Sequence, residues 1–295
     1  MFAVIPTGEA GWVGALSAVE IPVMQRTIDQ LARLRQDESR IVARDISRVV
    51  LHDPMFTLRV LRFLQQRRRV RQTTEVTTVE HALMMLGVSP FFEHFGQLPA
   101  VETGLAEFPL ALAGLMRVVD RARHAALYAR DWAGLRCDIE SDEVVIAALL
   151  HGMAEMLLWC FAPELALRIA ALMRQERTMR SSAAHRSVLG FTLADLQVSL
   201  TTEWRLPELL QTLMYESHAK RPRTLNVLLA VDLARHSANG WDDPALPDDY
   251  AAIQKLLNLT EQEVLERIQR TALQAKNERN AHGPEAEPPP SDPAG

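Results

Sequence analysis

Residues 143–161 constrain the fold of this chain more than any other stretch, because they are apolar nearly all the way round a helix. A helix without a polar face must be covered on every side, so we expect this one to lie in the middle of a helical bundle. No window of the sequence reaches about 18 consecutive apolar residues, the length that would indicate a membrane span. The stretch therefore predicts a buried central helix.

Apolar residues elsewhere recur every three or four positions, whereas the alternation typical of strands is hard to find. Residues 21–34 form the first predicted helix, with Pro22 in its first turn. Thr78 and Gly87 are suited to the two ends of a further helix. Pro109 then opens a long amphipathic helix. The pattern predicts an all-α fold.

The predicted helices fall into two lobes, with a short segment at each end of the chain. We assign residues 1–16 to an N-terminal extension, 17–105 to an N-terminal helical lobe, 106–275 to a helical bundle and 276–295 to a tail. The tail contains five prolines and no large apolar residue. Such a composition cannot bury a core, so we expect the tail to be disordered.

Composition narrows the classes of function. The 295 residues carry a formal net charge of −5, which offers no general attraction to nucleic acid or to an acidic membrane surface. Cys137 and Cys160 are single thiols without the spacing of a metal or redox motif. The N-terminus lacks the features of a signal peptide. We therefore expect a cytoplasmic protein that binds neither membranes nor nucleic acid.

Several separated segments resemble the HDOD family, the regulatory relatives of HD-domain metal phosphohydrolases. In the first lobe the matching segments read IPVMQRTIDQLARL, ARDISRVVLHDPMFTLRVLRF and VTTVEHALMMLGVSPF. Downstream, RHAALYA, ALLHGMAEMLLW and LLAVDLA are among the segments that follow in the family's order. The resemblance covers about residues 17–240. It implies that the second lobe is an HD-like helical bundle.

The same resemblance implies a degenerate metal site in that bundle. An HD hydrolase holds a divalent metal with one histidine, an adjacent His-Asp pair and a later aspartate, and the metal activates water. The matching positions here are His124, His151, Gly152 and Asp232, and His218 stands in place of a further histidine pair. Gly152 replaces the paired aspartate and cannot coordinate a cation, although it could permit close packing of helices. We expect no bound metal and no catalytic residue.

Two alternatives remain for the polar residues at these positions. The three histidines and Asp232 could supply three imidazoles and one carboxylate, a set that suits zinc or iron. The protein would then hydrolyse a phosphoester of a nucleotide. Otherwise these side chains satisfy one another within their helices, His151 with Glu155 and His124 with Asp120, each about one turn away.

A cluster of arginines is the most distinctive surface feature of the sequence. Its members are Arg59, Arg62, Arg67, Arg68, Arg69 and Arg71, with no acidic residue among them. Arginines at this density can hold phosphate groups or an acidic partner through bidentate contacts. They could equally form a solvated helix end and loop. The cluster leaves open a further function, that of a nucleotide sensor.

The resemblance favours a non-enzymatic regulatory protein. The HDOD family is associated with bacterial signal transduction, and this chain contains no receiver, cyclase or phosphodiesterase segment. A signal is therefore expected to arrive through protein–protein contacts. We expect a signalling protein as the partner, and no cofactor.

Overall fold

The computed structural model describes residues 1–37, 40–67, 78–137, 141–176, 178–215 and 220–281. Of the residues in these ranges, 77% are helical. Within the described ranges the β-type pairing consists of one isolated parallel bridge, between Val23 and Ala100. The predicted all-α fold is confirmed.

Seven helices precede the long central helix in the described part of the chain. They are α1 (Gly8–Ala18), α2 (Gln25–Arg35), α3 (Ala43–Leu51), α4 (Pro54–Arg67), α5 (Val79–Leu86), α6 (Val88–Phe95) and α7 (Val101–Gly104). As predicted, α5 lies between Thr78, whose side chain accepts a hydrogen bond from the N–H of His81, and Gly87, whose φ is 86°.

The second lobe is built around the long helix α8. Its helices are α8 (Pro109–Leu135), α9 (Ser141–Leu150), α10 (Met153–Phe161), α11 (Pro163–Gln175), α12 (Ser181–Leu189), α13 (Leu193–Glu203), α14 (Glu208–Met214), α15 (Pro222–His236), α16 (Leu246–Leu257) and α17 (Glu261–Ala281). As predicted, α8 begins at Pro109, where a missing N–H is tolerated because first-turn N–H groups have no partner within the helix. The buried face of α8 packs against α9 and α15.

Helix α2 begins later than the sequence pattern predicted. The pattern placed the helix at residues 21–34, whereas its first helical residue is Gln25. Val23 is instead extended: its N–H donates to the carbonyl of Pro99, and its own carbonyl accepts from the N–H of Val101, each at 2.9 Å. These hydrogen bonds take the place of a first helical turn, because the backbone groups of Val23 cannot bond to Pro99 and Val101 and also adopt helical hydrogen bonding.

Aromatic side chains fill the interior of the first lobe. Phe56 of α4 meets Phe91 and Phe95 of α6 edge to face, with ring centroids 6.1 and 5.5 Å apart. All three rings are buried. Burying each side chain contributes roughly 1.5–3 kcal/mol, so this cluster is a main source of cohesion between α4 and α6.

The predicted central helix over residues 143–161 is interrupted. Helix α9 ends at Leu150 and α10 begins at Met153, so His151 and Gly152 form a turn between them. The stretch Ser141–Phe161 is long and apolar enough to cross a membrane, but 83% of its most apolar window is buried inside the protein. Such burial is typical of a core element of a helical bundle.

The N-terminal segment packs against the second lobe, and the last helix of that lobe extends past the predicted start of the tail. Helix α1 contains most of the predicted N-terminal extension, and its Trp12 and Leu16 are buried where it packs on α13. Just after α13, Trp204 donates from Nε1 to the hydroxyl of Ser17 at 2.8 Å. At the other end α17 continues to Ala281, beyond the predicted start of the tail. The rest of the predicted tail lies outside the described residues.

Candidate functional site

His124, the first residue of the predicted vestigial metal site, lies on α8. Its Nδ1 is 2.8 Å from the backbone carbonyl oxygen of Asp120, one turn earlier. A carbonyl only accepts hydrogen bonds, so Nδ1 carries the proton and Nε2 is an acceptor in the neutral ring. His124 therefore contacts the residue that we expected, but through the main chain of Asp120 and not through its carboxylate.

His151 lies in the turn between α9 and α10. Burial lowers the pKa of its imidazole, while the negative charge of Asp232 partly opposes this shift and the positive charge of Arg235 adds to it. A hydrogen bond to the backbone of Met214 also favours the charged ring. Burial is the largest of these effects, so the environment of His151 favours the neutral imidazole.

Two carboxylates near this turn are paired with arginines. Glu155, which we expected to contact His151, accepts hydrogen bonds from Nη2 of Arg121 at 3.1 and 3.0 Å. Asp232 accepts a hydrogen bond from Nη2 of Arg235, one turn later on α15, at 2.6 Å. An arginine beside a carboxylate offsets the negative charge that would attract a metal ion.

Gly152, at the position of the family's aspartate, precedes α10 as its N-cap residue with φ of −99°. A Cβ atom at this position would lie 3.7 Å from Cγ1 of Val118 and 3.9 Å from Cε of Met156. Both are ordinary van der Waals distances. Close packing of helices therefore does not require glycine here, and that expectation was wrong.

The described residues do not assemble a metal site. Within those ranges, no three His, Cys, Asp or Glu side chains lie together in an arrangement that could hold a metal ion. His218 lies outside the described residues. Gly152 supplies no ligand, and the carboxylate of Asp232 is paired with Arg235. The residues present do not fit the divalent cation of an HD hydrolase, which needs carboxylate ligands.

Two members of the predicted arginine surface are used inside the fold. Arg59 donates to the carbonyl of Ile21 at 2.8 Å and to the carboxylate of Glu20 at 3.2 Å. Burial lowers the pKa of both Arg59 and Arg62, as expected for guanidinium groups withdrawn from solvent. These contacts hold α4 against the segment that joins α1 to α2.

Arg62 makes the more extensive set of contacts. Its guanidinium donates to the backbone carbonyls of Leu16, Ser17 and Val19 at the end of α1. It also lies over the ring of Trp204, 4.9 Å from the centroid. Arg62 therefore joins α1, α4 and the end of α13.

Of the four remaining arginines of the predicted surface, the structure describes Arg67. Arg67 ends α4, is exposed, and lies over the ring of Phe63 at 4.5 Å from the centroid. Arg68, Arg69 and Arg71 lie outside the described residues. Among the described members, Arg67 is thus the one on the protein surface.

A cavity of about 320 Å³, which we did not predict from the sequence, lies between the two lobes. Helices α2 and α3 of the first lobe and α8 and α9 of the second contribute to its wall. Its charged and imidazole side chains belong to Arg26, Arg44, Arg48, His52, Glu80, Asp120, Arg123, His124, Arg130 and Asp142. One signal was present in the sequence: Arg44 and Arg48 are four residues apart, and therefore lie on one face of α3.

Comparison with known proteins identifies relatives of this fold. Residues 21–220 match the HDOD domain family. Among solved structures, the MmoQ response regulator of Methylococcus capsulatus str. Bath has a TM-score of 0.64 and 20% sequence identity, over 85% of this chain and 98% of that one. A virulence factor of Campylobacter jejuni subsp. jejuni has a TM-score of 0.62 and 16% identity, over 85% and 89%. Comparison with curated proteins finds no match.

Proposed function

The chain belongs to the HDOD domain family, and we propose that it is a non-enzymatic signal-transduction protein that acts through contacts with other proteins. A regulatory role fits the family and the similarity to a response regulator. The proposed setting is the bacterial cytoplasm, where a signal would reach this chain by direct docking of a partner. Nothing in the proposal requires a cofactor.

Gly152 is the observation that carries the non-enzymatic part of the proposal. A metal-dependent hydrolase relies on its cation to activate water and to stabilise charge on the phosphate. A glycine removes the carboxylate that would hold that cation, and the pairing of Asp232 with Arg235 offsets the charge of a second one.

Elemental analysis combined with a phosphodiesterase assay tests this part of the proposal. We expect the purified chain to contain far less than one zinc, iron or manganese ion per molecule. We also expect no hydrolysis of bis(p-nitrophenyl) phosphate above the buffer rate with added Mn²⁺, and the same result for His151→Gln and Asp232→Asn. Stoichiometric metal, together with turnover that these variants abolish, would overturn the proposal.

Binding measurements test the contact part of the proposal. Proteins captured by the tagged chain from an extract of its own cells would be purified and titrated individually against the full chain. We expect at least one of them to form a saturable binary complex. If none binds in the purified system, direct docking is not the mechanism.

A further inference from the structure

The cavity between the two lobes carries an excess of positive charge. Five arginines line it, against the carboxylates of Glu80, Asp120 and Asp142, which leaves a formal balance of +2. The whole chain, in contrast, has a net charge of −5. Cationic side chains gathered in a concave site raise the local concentration of anions, because low-dielectric walls focus their field. The lining therefore favours an anionic ligand.

Two of the five arginines lie close to carboxylates that also line the cavity. Arg44 lies 3.8 Å from the carboxylate of Glu80, and Arg123 lies at the same distance from that of Asp120. Arg123 also donates from Nε to the backbone carbonyl of His52 at 2.8 Å, which ties α8 to the end of α3. Of these contacts, the hydrogen bond from Arg123 to His52 joins the two lobes at the cavity.

Arg48 and Arg130 line the cavity from opposite lobes, Arg48 on α3 and Arg130 on α8. In the part of the chain that the structure describes, neither guanidinium makes a hydrogen bond or an ion pair, and both residues are exposed. A guanidinium presents five N–H donors in one plane and matches the oxygens of a phosphate in bidentate fashion. Both lobes thus offer phosphate-binding donors to one space.

His124 adds a hydrogen-bond acceptor to the same cavity. Its Nδ1 is held by the carbonyl of Asp120, and Nε2 makes no hydrogen bond to any described residue. In the neutral ring Nε2 accepts a hydrogen bond, for which a ligand hydroxyl is a suitable donor. Leu51, Leu127 and Leu149 supply an apolar part of the wall. Among the described residues that line the cavity there is no Phe, Tyr or Trp on which a nucleobase could stack.

We propose that this cavity binds a small, non-aromatic phosphate monoester with hydroxyl groups, such as a sugar phosphate. Arg48 and Arg130 hold the phosphate, and Nε2 of His124 accepts a hydrogen bond from a hydroxyl. Because the two arginines belong to different lobes, the ligand bridges α3 and α8 and stabilises their packing. This binding activity goes beyond the proposed docking function and is independent of it.

Isothermal titration with ribose 5-phosphate at low ionic strength tests the site. We expect saturable binding to the full chain, weakened about tenfold or more in Arg48→Gln and in Arg130→Gln, since each loses a charge-assisted contact. Arg168→Gln is the matched control, because Arg168 is exposed on α11 and does not line the cavity. No saturable binding, or equal weakening in the control, would overturn the proposal.

The ligand class is tested with ribose and AMP. Ribose lacks the phosphate, so we expect no detectable binding. AMP carries the same kind of phosphate monoester together with a base, and we expect it to bind no more tightly than ribose 5-phosphate. A preference of tenfold or more for AMP would contradict the assignment to a non-aromatic ligand. Thermal unfolding at matched ionic strength provides a second readout: ribose 5-phosphate should raise Tm for the wild type and Arg168→Gln, and not for the cavity variants.

Discussion

The buried carboxylate of Asp53 accepts a hydrogen bond from the hydroxyl of Thr27 at 2.8 Å. It also accepts from the backbone N–H groups of Met24, Met55 and Phe56, at 2.8, 2.9 and 3.1 Å. One side chain thus accepts hydrogen bonds from backbone N–H groups at the start of α2 and at the start of α4. Because Asp53 and Thr27 are buried, bulk water cannot take over these contacts when either side chain is changed.

Asp53→Asn is expected to lower the free energy of unfolding by about 2–3 kcal/mol. The amide nitrogen of asparagine donates and cannot accept, so in either orientation it faces a backbone N–H. Urea denaturation measures the change. The control is Asp242→Asn in an exposed loop, with an expected change within about 0.5 kcal/mol. Equal destabilisation in the two variants would contradict the role of Asp53.

Arg62→Gln is expected to destabilise the protein by about 2–3 kcal/mol, because carbonyls at the end of α1 lose their donor and Trp204 loses its cation. Arg67→Gln, which changes the exposed neighbour over Phe63, should cost less than about 1 kcal/mol. Chemical denaturation of both variants distinguishes the two roles. If Arg62 served mainly to bind an external anion, its loss would leave stability unchanged.

The lowered pKa of His151 predicts that the stability of the protein decreases at acidic pH. Burial lowers its pKa in the folded chain below the ordinary value of 6.5, so the unfolded chain takes up the proton first as the pH falls. The buried neutral ring therefore makes its full contribution to the free energy of unfolding above about pH 6.5. This contribution is lost as the pH falls from there through the folded pKa. Urea unfolding at about pH 7.5 and about pH 5.5 should show a smaller acid loss for His151→Gln than for the wild type. An identical loss would show that His151 titrates normally.

Gly152→Asp restores the carboxylate of the family's His-Asp pair. The new Cβ would make only ordinary contacts, so we expect the variant to fold with a change in stability below about 1 kcal/mol. We expect no stoichiometric metal, because the carboxylate of Asp232 remains paired with Arg235. Elemental analysis of the purified variant after incubation with Mn²⁺ measures this. One bound ion per chain would mean that Gly152 alone disables the site.

The candidate site was only partly predictable from sequence. The position of His124 near Asp120 followed from their spacing on one helix, although the contacting atom differed from the one that we expected. Glu155 contacts Arg121, which is distant in the chain, and no local pattern could have indicated that pairing. The predicted arginine surface grouped residues by their proximity in sequence, whereas the fold turned Arg62 inward and left Arg67 outside.

The sequence by itself determined that the chain is all-α and where several helices begin, including α8 at Pro109. These features depend on periodicity and on caps, which act within one or two helical turns. Tertiary structure decided the late start of α2, the turn at His151 and the cavity between Arg48 and Arg130. Each depends on segments that are far apart in the chain and meet only when the lobes pack, so the energies that select them have no local signature.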